Sequence, residues 1–258
     1  MLLFQKNIRK IMKSLLLLLL SLNLFAVITI APTEIGKKVG FSGTLKGSFE
    51  TKRGNSDVDN YSAGLRAQYD NNSSYVIWSD LVFDYGKASG TTNTNKTYMH
   101  LRFIHTLTKN KSINYELFGQ SETNDFTNVK HRFLLGGGLR YHNNMQKYGN
   151  LFFGLGGFGE DIKYISSINP REHNTRINSY ISYTKEFNEK SKLSYVMYYQ
   201  PKVDNFGDYI FSNGLEMTIL VYEKLYLSFV IYYDVDSAPA IGIGKEDFTQ
   251  KTSFIYKF

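Results

Sequence analysis

The chain has no cysteine, four prolines and a single tryptophan among 258 residues. Lacking cysteine, it can build no disulfide scaffold, no thiolate-bound zinc site and no thiol nucleophile. The prolines (Pro32, Pro170, Pro201 and Pro239) fall in predicted loops or at strand ends, leaving long stretches free to pair as strands. After Ala26 no run comes near the about 18 apolar residues of a membrane-spanning helix. The mean hydropathy of −0.30 agrees, but it does not exclude a membrane β-barrel, whose strands are only half apolar.

Aromatic residues are abundant. The 20 Tyr and 19 Phe together outnumber the 30 Lys and Arg. So much buriable surface excludes a disordered chain. The length admits one large β domain or two ordinary ones, and no linker or second domain is visible.

Residues 1–26 read as an export signal. Lys6, Arg9, Lys10 and Lys13 precede an apolar stretch that starts at Leu15 and runs to Ala26. Cleavage is expected after Ala26 or after Ala31; Leu24 is larger than the small residue usual two positions before a cleavage site. Met12 is a candidate start. Residues 27–38 would then be a short periplasmic segment and 39–258 the folded body. Removing the signal leaves 26 basic against 23 acidic residues, a net of +3. That near balance gives no electrostatic case for nucleic acid.

From Val39 onward apolar and polar residues alternate. Val39, Phe41, Leu45 and Phe49 oppose Ser42, Lys46 and Glu50; Tyr61, Leu65 and Tyr69 oppose Arg66; Ile77, Leu81 and Phe83 oppose Trp78, Asp80 and Asp84. The pattern continues with His100 and Arg102, Glu116 and Glu122, Lys130, Arg132 and Arg140, Arg176, Lys192, Glu216, and Asp234 on polar faces. Period two places the two sets on opposite sides of a strand. The Gly-rich stretch 150–159 has no clear phase. About twelve strands of roughly 9–13 residues result, long enough to cross a bilayer at a tilt and longer than those of soluble sandwiches. The expected fold is all-β, a closed antiparallel transmembrane barrel of about twelve strands. Connections at 70–74, 108–112, 188–191 and 222–224 are short, and those at 86–96, 122–128, 159–174 and 236–247 long, as on the two sides of an outer-membrane barrel.

The chain stops on Phe258, with Tyr256 and Phe254 on the same face. A terminal aromatic closing an alternating strand is similar to the signal read by the barrel assembly machinery. Recurrent Tyr near strand ends suits the girdles at membrane interfaces. Gly47–Asp57 (GSFETKRGNSD), Gln120-x-Glu122-x-x-Asp125, Leu135-Gly136-Gly137-Gly138-Leu139 and 154–160 resemble an uncharacterised outer-membrane family that includes the salt-stress-induced outer-membrane protein. The resemblance implies an outer-membrane β-barrel with no established biochemical activity, and it supplies no catalytic residues.

The charges on the polar faces are the candidate lumen lining: Lys46, Glu50, Arg66, Asp80, Asp84, Arg102, Glu116, Glu122, Lys130, Arg132, Arg140, Arg176, Lys192, Glu216 and Asp234. Inside a membrane such groups face water or each other. They would either tune permeation, with a mild preference for anions, or plug the barrel with ion pairs. Glu116, Gln120, Glu122, Asp125 and Arg132 form a second candidate, either a cation or polar-ligand site at the mouth or a tie between hairpin ends. Asp80 and Asp84 are expected to pair with Arg. Of the five His, only His100 lies well inside a strand on the polar face. No Gly-x-Ser-x-Gly elbow accompanies it, and the glycines at 136–138 and 154–159 lack the Lys-Ser or Lys-Thr of a phosphate loop. No catalytic, cofactor or metal residues are expected.

The expected location is the outer membrane of a Gram-negative-type envelope, and the expected form a monomer in outer-membrane lipid. The leading function is a narrow porin-like channel for small polar or charged solutes. A stress-related envelope barrel with a plugged lumen is second, and a lipid-modifying hydrolase third.

Overall fold

The structure, a computed structural model, describes residues 33–52 and 58–258; the assigned signal, its alternative end at Ala31 and the loop residues 53–57 lie outside it. Twelve strands follow one another: β1 (Gly40–Lys52), β2 (Val58–Asp70), β3 (Tyr75–Ala88), β4 (Thr91–Thr106), β5 (Ile113–Asn124), β6 (Val129–Asn144), β7 (Asn150–Tyr164), β8 (Glu172–Asn188), β9 (Ser191–Pro201), β10 (Tyr209–Tyr222), β11 (Leu225–Asp236) and β12 (Glu246–Lys257). Each pairs antiparallel with its sequence neighbours, and β1 pairs with β12 to close the barrel. At that seam Thr44 faces Lys257 and Gly47 faces Phe254. Gly43 and Phe258 exchange both backbone hydrogen bonds, at 3.0 and 3.1 Å, and the Phe258 ring covers Gly43.

Apart from Gly43 and Pro201, every buried strand residue from β1 to β11 carries an even number, and those of β12 carry odd numbers. The faces therefore hold their phase around the whole barrel. The outer face carries the exposed large apolar residues, among them Phe41, Leu45, Phe83, Leu101, Leu135, Leu155 and Phe229. This phase also settles β7: Phe152, Gly154, Gly156, Phe158 and Glu160 share the inward parity, while Leu151, Phe153 and Leu155 share the outward one.

At the end that holds Val39 and Phe258, outward rings form a nearly continuous belt. Phe41 meets Tyr69 at 4.8 Å, Tyr69 meets Tyr75 at 6.1 Å, Tyr75 meets Phe103 at 5.7 Å and Phe103 meets Tyr115 at 6.1 Å. His105 stacks on Tyr115 in this belt. Amphipathic rings in that position suit a membrane interface.

Turns at this terminal end are built from local chemistry. The Asn71 side chain accepts hydrogen bonds from the N–H groups of Ser73, Ser74 and Tyr75, and Asn72 takes φ 67°. At the far end the expected long loop over 86–96 is absent. β3 and β4 continue to a two-residue turn, Ser89 (φ 48°) and Gly90 (φ 82°), the conformation a tight hairpin requires. Thr-rich sequence there lacks apolar alternation yet pairs well as strand. Only 165–171, 202–208 and 237–245 are long far-end connections, so the expected alternation of loop lengths holds for the later strands alone.

Glycines of β6 and β7 face one another at Gly137–Gly157 and Gly138–Gly156, and Gly136 stands opposite Phe158. A Cβ on Gly156 would lie 2.1 Å from the Gly137 carbonyl oxygen, and one on Gly154 would lie 1.9 Å from the Tyr180 ring. These positions let inward rings lie flat against backbone. Gly154→Val is expected to cost about 1–3 kcal/mol through overpacking. Gly159→Val, where a Cβ meets nothing within 4 Å, is expected to change stability by less than about 0.5 kcal/mol. The heat-modifiable electrophoretic mobility of the two variants checks this contrast.

Candidate functional site

The interior has two unlike halves. On the β3–β9 side it is filled. Val76, Trp78, Tyr98 and Ile104 form one buried cluster, Phe118, Leu134 and Phe158 a second, and Phe152, Tyr180, Val196 and Tyr198 a third. The aromatic residues therefore do not all face outward. Seven buried Trp, Tyr and Phe rings share the inward parity with the charges, a signal present in the sequence at Trp78, Tyr98, Phe118, Phe152, Phe158, Tyr180 and Tyr198.

Two arginines lie within this filling. Arg102 sits among the rings of Phe118 (5.2 Å), Trp78 (5.9 Å) and Tyr180 (6.0 Å), with Glu116 at 3.6 Å. Arg140 lies 5.2 Å from the Phe152 ring and donates to the Thr33 carbonyl at 2.9 Å. Electron-rich ring faces stabilise such desolvated cations. His100 is stacked between Tyr98 and Phe118 and stands opposite Gln120 in the β4–β5 register.

Toward the far end, charges of alternating sign run around the same half: Lys96, Glu122, Arg132, Glu160, Arg176, Asp208, Lys202 and Glu172. Arg132 donates to Glu160 at 2.9 and 2.7 Å, Arg176 to the other Glu160 oxygen at 2.6 Å and to Asp208 at 2.9 Å. Lys96 lies 3.2 Å from Glu122, and Lys202 joins Asp208 to Glu172. The sequence pattern missed Lys96, which fell in the expected loop, and Glu160, which fell in the strand of unclear phase. Asp208 lies outside any strand.

The candidate mouth cluster is taken apart by the fold. Glu116 lies deep and accepts from Tyr180 Oη at 3.1 Å; Gln120 accepts from Tyr98 at 3.0 Å; Asp125 meets Asn95 at 2.8 Å on the rim. Glu122 and Arg132 belong to the alternating belt. Among the described residues no group of three or more His, Asp or Glu could hold a metal ion.

The other half, on β1–β3 and β8–β12, encloses a cavity of about 670 Å³. Its lining reaches from Thr33, Lys38 and Lys257 at the terminal end to Asn60, Thr94 and Asn124 at the far end. Arg66 forks onto Asp80 at 2.6 and 2.9 Å, the expected Arg pairing. Asp84 takes a lysine instead, Lys251 at 3.0 Å. Lys46 reaches Glu216 at 3.0 Å, and Ser228 donates to the same carboxylate at 2.6 Å. Lys192 also lines the cavity, and Asp234 is buried on β11. Of the candidate lumen charges, Lys46, Arg66, Asp80, Asp84, Lys192 and Glu216 line this cavity, while Arg102, Glu116, Glu122, Arg132, Arg140 and Arg176 lie in the filled half. Lys130 shares the inward parity but sits where the β6 register shifts, exposed at the far end. The Glu50 side chain lies outside the described residues.

Residues 33–39 precede β1 and strap the terminal mouth. Besides Thr33 on Arg140, Glu34 accepts from Asn150 at 3.0 Å, Ile35 packs on the Trp78 cluster, and the Gly36 N–H donates to Asp70 at 2.7 Å. Lys37 pairs with Glu34 at 3.2 Å and Glu186 at 2.9 Å. Burial opposes the Lys37 charge, but the hydrogen bond to Glu186 and the fields of both carboxylates outweigh it and raise its pKa. Lys38 has no such partner among the described residues; burial, then Arg66, lowers its pKa.

The chain belongs to a family of proteins of unknown function, DUF481. The family model matches residues 47–258. The fold is similar to that of an outer-membrane channel of Pseudomonas putida F1, designated COG4313, at a TM-score of 0.56 and 10% identity, over 88% of this chain and 97% of that one. The NanC porin aligns at 0.48 and 9% identity over 84% of this chain and 97% of its own, and the KdgM porin in complex with disordered oligogalacturonate at 0.47 and 9% over 84% and 99%. No curated protein matches this DUF481 chain in sequence.

Glu160 holds two buried guanidinium groups of this DUF481 barrel apart. Glu160→Gln is expected to destabilise it by about 3–5 kcal/mol, because Arg132 and Arg176 are left facing each other. Trp78 is the sole tryptophan and 1% exposed, so a red shift of its emission on unfolding measures the loss.

Proposed function

We propose that this protein is a monomeric, narrow porin-like channel of the Gram-negative-type outer membrane, passing small polar or charged solutes without catalysis or cofactor. The observation that carries this reading is the charged cavity whose lining includes residues from both ends of the barrel. Charged side chains facing such a lumen tune what passes. The apolar outer face and the ring belt support insertion in lipid, and the Pseudomonas putida channel shares the fold. The strand ending in Phe254, Tyr256 and Phe258 fits delivery by the barrel assembly machinery. Kinship with the salt-stress-induced outer-membrane protein is part of the same proposal and rests on the Gly47–Asp57 motif.

A second reading, an envelope barrel with a plugged lumen, is favoured by the Lys46–Glu216 and Lys251–Asp84 pairs, which join strands that are not neighbours. Liposome swelling separates the two. The channel reading expects wild-type barrels to admit small amino acids or sugars; exclusion of every such solute supports the plug. Lys46→Ala with Lys251→Ala removes both pairs and is expected to raise single-channel conductance in planar bilayers.

A further inference from the structure

The charges lining the cavity do not cancel. Eight are basic and five acidic. Each acid is already engaged: Glu34 and Glu186 by Lys37, Asp80 by Arg66, Asp84 by Lys251, and Glu216 by Lys46. Lys96 pairs with Glu122. Lys38, Lys192 and Lys257 remain, with no ion-pair partner within 4.0 Å among the described residues. Glu186 stands opposite Lys192 in the β8–β9 register, yet its carboxylate is turned to Lys37. Lys257 lies over the Tyr226 ring, whose face stabilises the cation but carries no net charge to cancel it. Lys192 lies at the start of β9 and Lys257 at the end of β12, both at the terminal end beside the strap that carries Lys38. All three line the same cavity at its terminal mouth.

Like charges are held together here by covalent position on three separate pieces of backbone, the strap, β9 and β12. A narrow cavity with low-dielectric walls focuses such a field and concentrates counter-ions. We propose that Lys38, Lys192 and Lys257 form an anion-selecting site at the terminal mouth, which takes small anions of two or more negative charges such as inorganic phosphate. The inference rests on the channel reading and names its solute class.

The test uses the full barrel in planar bilayers under a potassium chloride gradient at low ionic strength, where screening is weakest. Wild type is expected to favour chloride over potassium several-fold, and millimolar inorganic phosphate on both sides is expected to lower the chloride current. K38Q/K192Q/K257Q is expected to lose the preference and the phosphate block. The charge-conserving K38R/K192R/K257R is expected to keep both, which separates loss of charge from loss of folding. A conducting wild-type barrel without anion preference, or a preference and block unchanged in the glutamine variant, overturns this inference and leaves the channel reading standing. A wild-type barrel that carries no current overturns both.

Discussion

Closure of the sheet on itself is the constraint on which everything else depends. An apolar outer face offers no water to unpaired backbone groups, so every strand edge must find a partner within the chain. The β1–β12 seam provides that partner through a short register and the Gly43–Phe258 exchange. Once the seam is closed, the pleat sends half of all side chains into one enclosed volume. Lipid-facing positions cannot accept charge, so nearly all strand charges collect inside.

Inside, the charges meet a second constraint. Desolvated ions need partners, hydrogen bonds or aromatic faces. The two halves of the barrel meet this need differently. Between β3 and β9 the space is filled by rings, with Arg102 and Arg140 held against them and the alternating belt above. Between β9 and β3, across the seam, smaller inward residues such as Ser48, Ser62, Gly64, Ser194 and Thr218 leave an open cavity. The glycines of β6 and β7 serve the filled half, since they make room for Tyr180 and Phe158.

Strand number, strand phase and the polar face could be read from the residues because the side-chain period of two is a local property. The same rule failed at particular places. Lys96 was hidden because β4 runs past the apolar band into a Thr-rich stretch, where alternation ends while pairing continues. Glu160 was hidden because glycine carries no face preference. The inward rings share the parity of the charges, so alternation of apolar with polar residues does not mark them.

What the sequence determined by itself was which residues face inward: neighbours two apart share a side whatever the rest of the chain does. Which inward residues touch was decided only by the tertiary structure. Lys46 and Glu216 are 170 residues apart in sequence, and Arg140 meets a carbonyl 107 residues away. No local pattern encodes such meetings, because they depend on the order in which twelve strands surround one lumen. The same order leaves Lys38, Lys192 and Lys257 without an ion-pair partner among the described residues, while every acid lining the cavity with them is already engaged.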